Sequence, residues 1–144
     1  MLIFRDFQDL LTANPAATAD EFLRLLSPPI KFSQIDNFPT ERGIYFLYIA
    51  NISRPLYIGS AYESNRNLKK RCMQYLQNGS GGNSFTGRIA RLKNIPRTEA
   101  IEFVRANIFA RFIVEVDLDK ATIKQREMAC IWALQPPLNF INHT

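Results

Sequence analysis

The spacing of apolar positions shifts repeatedly along the chain, and each shift predicts an element. Phe4, Phe7, Leu10 and Leu11 recur at helical intervals. Thr18-Ala19-Asp20-Glu21 has the form of a capping box, in which Thr18 and Glu21 satisfy each other's free backbone amides. A helix with Phe22, Leu25 and Leu26 on its apolar side follows. Ser27-Pro28-Pro29 ends it, because proline cannot continue a helix. Two runs rich in aromatic and branched residues come next, Ile44–Ala50 and Pro55–Gly59, joined by Asn51-Ile52-Ser53-Arg54. That pattern predicts a β-hairpin. Pairing about the middle of its loop sets residue 47 near 57 and residue 45 near 59. Asn65–Gln77 has helical spacing, and Asn78-Gly79-Ser80-Gly81-Gly82-Asn83 predicts a flexible loop. Ser84–Lys93 predicts a basic helix, weakened by Gly87, and Thr98–Arg105 a short one. Ile108, Ala110, Phe112, Val114 and Val116 alternate onto one face, which predicts a strand. Either Asp117 or Asp119 caps a last helix reaching about Leu134, which Pro136-Pro137 stops.

These elements predict an α/β domain over residues 31–144, behind an N-terminal helical extension over residues 1–30. The extension either packs on the core or recognises a partner. A chain of 144 residues is the size of one domain. Its 47% hydrophobic and 22% charged residues suit a soluble globule. A net charge of +5 favours a polyanionic partner, with nucleic acid first among them. No apolar run approaches the roughly 18 residues that would span a bilayer, and Met1-Leu2-Ile3-Phe4-Arg5-Asp6 lacks the form of a secretory leader. Cys72 and Cys130 fall inside predicted helices without a Cys-x-x-Cys pair, so they read as free, buried thiols of a cytoplasmic protein. The one histidine is His143. A histidine metal site or a Ser-His-Asp triad therefore has no material here. Hydrolytic chemistry is left to carboxylate, phenol and guanidinium.

Along the last helix, Ile123, Glu127, Cys130 and Leu134 fall within one narrow sector, with Ile131 at its edge. A carboxylate inside an apolar stripe needs a cation, a proton or hydrogen bonds. Glu127 is thus either half of a structural ion pair, with Arg71 as a partner, or a ligand for a hard divalent cation. Arg71 and Tyr75, at i and i+4, share a helix face beside the stripe of Leu68, Cys72 and Leu76. A guanidinium there either pairs with a local acid or forks onto phosphate oxygens. Tyr45 and Tyr57 have the same parity across the hairpin and point to one face. They are either core aromatics or hydroxyls aimed at a reacting phosphate. Lys69, Lys70, Arg88, Arg91 and Lys93 are candidate contacts to a phosphate backbone, Arg88 and Arg91 above all.

Gly43-Ile44-Tyr45, Tyr57-Ile58-Gly59, Arg71 with Tyr75, Glu127 and Pro136-Pro137-Leu138-Asn139 occur in that order. The set resembles the active-site signature of the GIY-YIG nuclease family over roughly residues 42–140. The resemblance implies a small, mainly antiparallel three-stranded sheet flanked by helices, and a metal-dependent DNA endonuclease that hydrolyses phosphodiesters. It further implies that Glu127 holds Mg²⁺ or Mn²⁺ and that Arg71 steadies the transition state. Tyr45 and Tyr57 would position and deprotonate water, Asn139 would hydrogen-bond within the site, and Gly59 would let backbone approach closely. Tyr75 fits a position that holds Tyr or His in members of the family. Two departures stand out. Tyr57 and Arg71 lie fourteen residues apart, more than is usual, so Glu63-Ser64-Asn65-Arg66 reads as an insertion and Arg66 is the rival catalytic arginine. Members acting in excision repair carry lysine where this chain has Ser60. A non-catalytic nucleic-acid-binding or protein-interaction module on the same fold is the alternative reading. A homodimer or a targeting partner protein would supply the reading surface that so small a chain lacks.

Overall fold

A computed structural model describes residues 23–63, 66–77 and 84–140. The helix predicted from Phe4, most of the one predicted from Thr18, and the Asn78–Asn83 loop lie outside the described residues. In chain order the elements are β1 (Ile30–Lys31), β2 (Gly43–Ile49), β3 (Tyr57–Ala61), α1 (Leu68–Met73), α2 (Phe85–Lys93), α3 (Arg97–Asn107), β4 (Ile108–Val114) and α4 (Lys120–Leu134). Short 3-10 turns cover Phe32–Asn37, Gln74–Leu76 and Pro137–Asn139. The strands pair antiparallel in the order β1-β4-β2-β3. The chain is therefore α/β with a four-stranded antiparallel sheet.

The hairpin forms in the expected register, with Leu47 opposite Tyr57 and Tyr45 opposite Gly59. Two residues were expected to be able to cap the last helix. Asp119 does so, its side chain accepting from Thr122 N at 2.8 Å. Gln135 closes the same helix in the left-handed region at φ 50°, just before Pro136. Ser84 caps α2 by accepting from Gly87 N at 3.1 Å.

The expected sheet of three strands has a fourth, β1. Two residues offer no alternation to read, and β1 follows a diproline that cannot donate to a ladder. Ser27 completes the pairing: its amide donates to Phe112 O and its hydroxyl accepts from Phe112 N, both at 2.9 Å. β1 thus crosses the boundary placed between residues 30 and 31.

Both faces of the sheet are covered. Tyr45, Leu47, Ala110 and Phe112 face one cluster with Leu68 and Cys72 of α1, Phe85 and Ile89 of α2, and Ala100 and Val104 of α3. Ile44, Phe46, Ile58 and Ile113 face the other with Ile123, Ala129 and Cys130 of α4, and Leu23 and Leu26 pack against it. Two buried faces explain why β2 reads as an unbroken apolar run. A largely buried ion pair between Arg126 and Glu115 ties α4 to the segment after β4. No helix among the described residues is long and apolar enough to cross a membrane.

Both thiols are free and buried, as expected. Burial, then the charge of Glu127, pushes the Cys130 thiol up to about 12, and burial carries Cys72 well above its ordinary value. The unfolded chain ionises its thiols first, above a pKa of roughly 8.5. Stability supplied by the neutral thiols is therefore full below that pH and is lost progressively as pH rises towards the folded values. Urea titrations repeated between about pH 7 and pH 10.5 should show a falling midpoint. A midpoint that holds steady across that range would contradict the burial assigned to these groups.

Candidate active site

The site begins with a missing side chain. A Cβ on Gly59 would overlap the Tyr45 ring, lying 2.8 Å from Cε2 and closer still to Cζ and Oη. The ring lies flat across its cross-strand partner because that partner is glycine. At the far end of the pairing, a Cβ on Gly43 would run into the Ile113 carbonyl, and Gly43 sits at φ 157°. The expected use of Gly59, close approach by other backbone, gives way here to close approach by Tyr45. Tyr45 and Tyr75 share a hydrogen bond between their hydroxyls. Both are buried, and Thr86 Oγ1 donates to the Tyr75 carbonyl. Burial, then Tyr75 and Tyr57 nearby, holds Tyr45 well above the ordinary phenol range. Tyr45 is therefore a neutral hydroxyl at physiological pH, and burial does the same to Tyr75.

Tyr57 lies on the same face, with its ring centroid 6.4 Å from that of Tyr45. It is half-buried and packs on Phe85. Arg71 projects from α1 beside these phenols. Burial opposes its charge, yet its ionisation stays above the ordinary arginine value, so Arg71 is a cation beside these phenols. Its Nε is buried without a hydrogen-bond partner among the described residues, while Nη1 reaches Gln74 Oε1 at 3.4 Å. A buried donor left open in this way fits an anion arriving from outside.

Glu127 is 7% exposed. The sequence weighed Arg71 as its ion-pair partner, but Lys124 takes that place, with Nζ 3.1 Å from Oε2. Ser60, at the position of the repair-type lysine, donates to the same oxygen at 3.0 Å. Both hydrogen bonds fall on Oε2, so Oε1 carries none among the described residues. Those residues gather no group of three or more His, Cys, Asp or Glu able to hold a metal. A cation caged by several protein ligands therefore does not fit. One held by a single carboxylate, with water and phosphate oxygens completing the shell, fits the donor set that magnesium accepts.

Tyr45, Tyr57, Arg71 and Glu127 line one cavity of about 280 Å³, together with Gly59, Ser60, Tyr62, Glu63, Arg66 and Lys124. β3 is the edge strand of the sheet, so residues from its two faces meet around it. Tyr45, Tyr57 and Arg71 come from the α1 side; Ser60, Lys124 and Glu127 come from the α4 side. Asn139 stands outside this lining. Its side chain clamps the edge of β3, accepting from Ile58 N at 2.8 Å and donating to Ile58 O at 2.9 Å. That is the pairing a further strand would make.

The expected basic surface breaks up. Arg88 is buried, donating to Leu138 O at 2.6 Å and lying 5.2 Å over the Tyr57 ring. A phosphate-backbone contact does not suit that placement. Arg91 and Lys93 are exposed on α2, Lys93 over Phe103 at 4.7 Å. Lys70 is exposed on α1, and Lys69 reaches the Asp36 carbonyl at 3.3 Å. None of these five lines the cavity. Sequence reasoning passed over Lys124 and Tyr62. Lys124 had one signal, its position three residues before Glu127 on the same helix. Tyr62 had none beyond following the hairpin.

Compared with family models, curated proteins and solved structures, the chain matches none of them.

The clamp on β3 has a measurable consequence. Asn139→Ala leaves the Ile58 amide and carbonyl unpaired beside the buried half of β3. It should cost about 1–3 kcal/mol, the range for such orphaned groups, measured by urea unfolding. Stability unchanged within error would mean that water replaces the clamp without loss.

Proposed function

We propose that the chain is a divalent-metal-dependent DNA endonuclease of the GIY-YIG type. The observation that carries this reading is the convergence of Tyr45, Tyr57, Arg71 and Glu127 on one cavity, with the open Nε of Arg71 beside the phenols. The ordered resemblance in sequence supplies the reaction class. Water attacks phosphorus and the bond to the leaving oxygen breaks. Tyr45 is neutral and already tied to Tyr75, so it orients the water or a phosphate oxygen. Tyr57 is the phenol that helps carry the proton away from the attacking water. Arg71 forks onto non-bridging oxygens as their charge grows. Glu127 would hold the cation through Oε1, while Ser60 and Lys124 fix the carboxylate at Oε2. A bound Mg²⁺ or Mn²⁺ supplies Lewis-acid polarisation of the phosphate.

Incubation with plasmid, nicked and branched DNA, with Mg²⁺ or Mn²⁺ and with chelator, tests the reading. Glu127→Gln keeps the side chain's shape and should abolish cleavage while the fold survives by circular dichroism. Full activity in that variant, or cutting in excess chelator, would sink the assignment. Binding without any cutting under all conditions would leave the non-catalytic module as the function.

Both arginines line the cavity, so their roles need separate measurement. Arg71→Ala should lower turnover about 10²–10³-fold, the loss seen when one preorganised donor goes. Arg66→Ala should mainly weaken binding, with a shallower salt dependence. A reversed order on turnover would make Arg66 the catalytic arginine.

A further inference from the structure

The first turns of α4 break two helix rules at once. Lys120 is the first helical residue, where the helix dipole disfavours a cation. Lys124 follows at i+4, where like charges repel. Lys124 is offset by its pair with Glu127 one turn on, but Lys120 gains nothing of that kind from the helix. Tyr62 touches both lysines: its ring centroid lies 4.9 Å from Lys120 Nζ and 5.3 Å from Lys124 Nζ, which is also paired with Glu127. Tyr62 and Lys124 line the cavity, and Lys120 is exposed beside them. Arg66 lines the same cavity from the segment after β3 and is also exposed. The carboxylates there are Glu63 and Glu127. With Arg71 deeper in, the cations of this rim outnumber them.

We propose that Lys120, Lys124 and Tyr62 form the strand-binding rim of this cavity, the two ammonium groups meeting successive phosphates of a DNA strand that is led across Arg71. Tyr62 gathers both lysines at the mouth, where a flexible lysine alone would be held loosely. The inference deepens the nuclease reading and rests on it. It moves the main backbone contacts from α2, where Arg88 is buried, to the start of α4. Contacts of this kind set position and salt dependence without specifying sequence.

The test is fluorescence anisotropy of a labelled duplex across a salt series, in chelator so that no strand is cut. Lys120→Gln touches no catalytic group. It should lower the slope of log affinity against log salt by about 0.9, and Lys120→Gln/Lys124→Gln by more, though by less than a second full phosphate because Lys124 is also paired with Glu127. Tyr62→Ala should give a smaller loss, because the lysines remain but are no longer gathered. Lys69→Gln/Lys70→Gln serves as the comparison and should change the slope less than the α4 pair. A wild-type chain that binds and cuts DNA, with the slope unchanged in both α4 variants, overturns this inference alone. So does a larger slope change in the Lys69/Lys70 variant. A wild-type chain that binds no duplex at low salt overturns both this inference and the nuclease reading.

Discussion

The cavity depends on one absence, the side chain missing at Gly59. With no Cβ there, the Tyr45 ring lies across the neighbouring strand and reaches Tyr75 beyond it. That reach joins the hairpin to the turn after α1 and draws α1, with Arg71, towards the sheet. Any side chain at position 59 would lift the ring and open the contact between the phenols. Gly43, at the other end of the same ladder, does related work by letting β2 slide beneath the Ile113 carbonyl. The two glycines that made the tripeptides noticeable in sequence are thus packing devices first.

The second constraint is that β3 is an edge strand. A central strand would keep the residues of its two faces apart. At the edge, Tyr57 and Gly59 on one side come within one cavity of Ser60 on the other, and α4 adds Glu127 and Lys124 from below. Such an edge is normally a hazard, because unpaired backbone groups invite another strand. Asn139 answers for Ile58, and Leu138 N donates to Leu56 O at 2.9 Å. The first half of β3 is therefore closed by the C-terminal turn, and the second half faces the cavity. Asn139 thus holds the strand that carries Tyr57, Gly59 and Ser60.

Elements with a long, strong period were legible in the sequence. The hairpin register and the burial of Glu127 follow from parity and helical rotation, and these survive packing; of the two aspartates that could cap the last helix, Asp119 does so. β1 was not legible, because two residues carry no period. The partner of Glu127 was misjudged for a related reason. Helical rotation says which face a carboxylate takes, but not which neighbour arrives first. Lys124, on the same helix at i−3, needed no tertiary contact to get there. Arg88 shows the opposite failure. Its position in a basic helix suggested a solvent face, yet its stem and guanidinium are buried against Tyr57 and the Leu138 carbonyl.

The burial of Arg88 bears on what a net charge of +5 means for this chain. Formal charge counts every arginine equally, whereas a polyanion meets only those that reach solvent. Arg88 supports the ring of Tyr57 and the C-terminal turn, and Arg126 is largely buried with Glu115. Neither is exposed as Lys120 and Arg66 are. The positive charge therefore divides by burial: Arg88 and Arg126 hold the fold, Lys120 and Arg66 are exposed at or beside the cavity, and others, such as Lys70, Arg91 and Lys93, are exposed elsewhere. Burial, more than the size of the charge, decides which of these cations can meet another molecule.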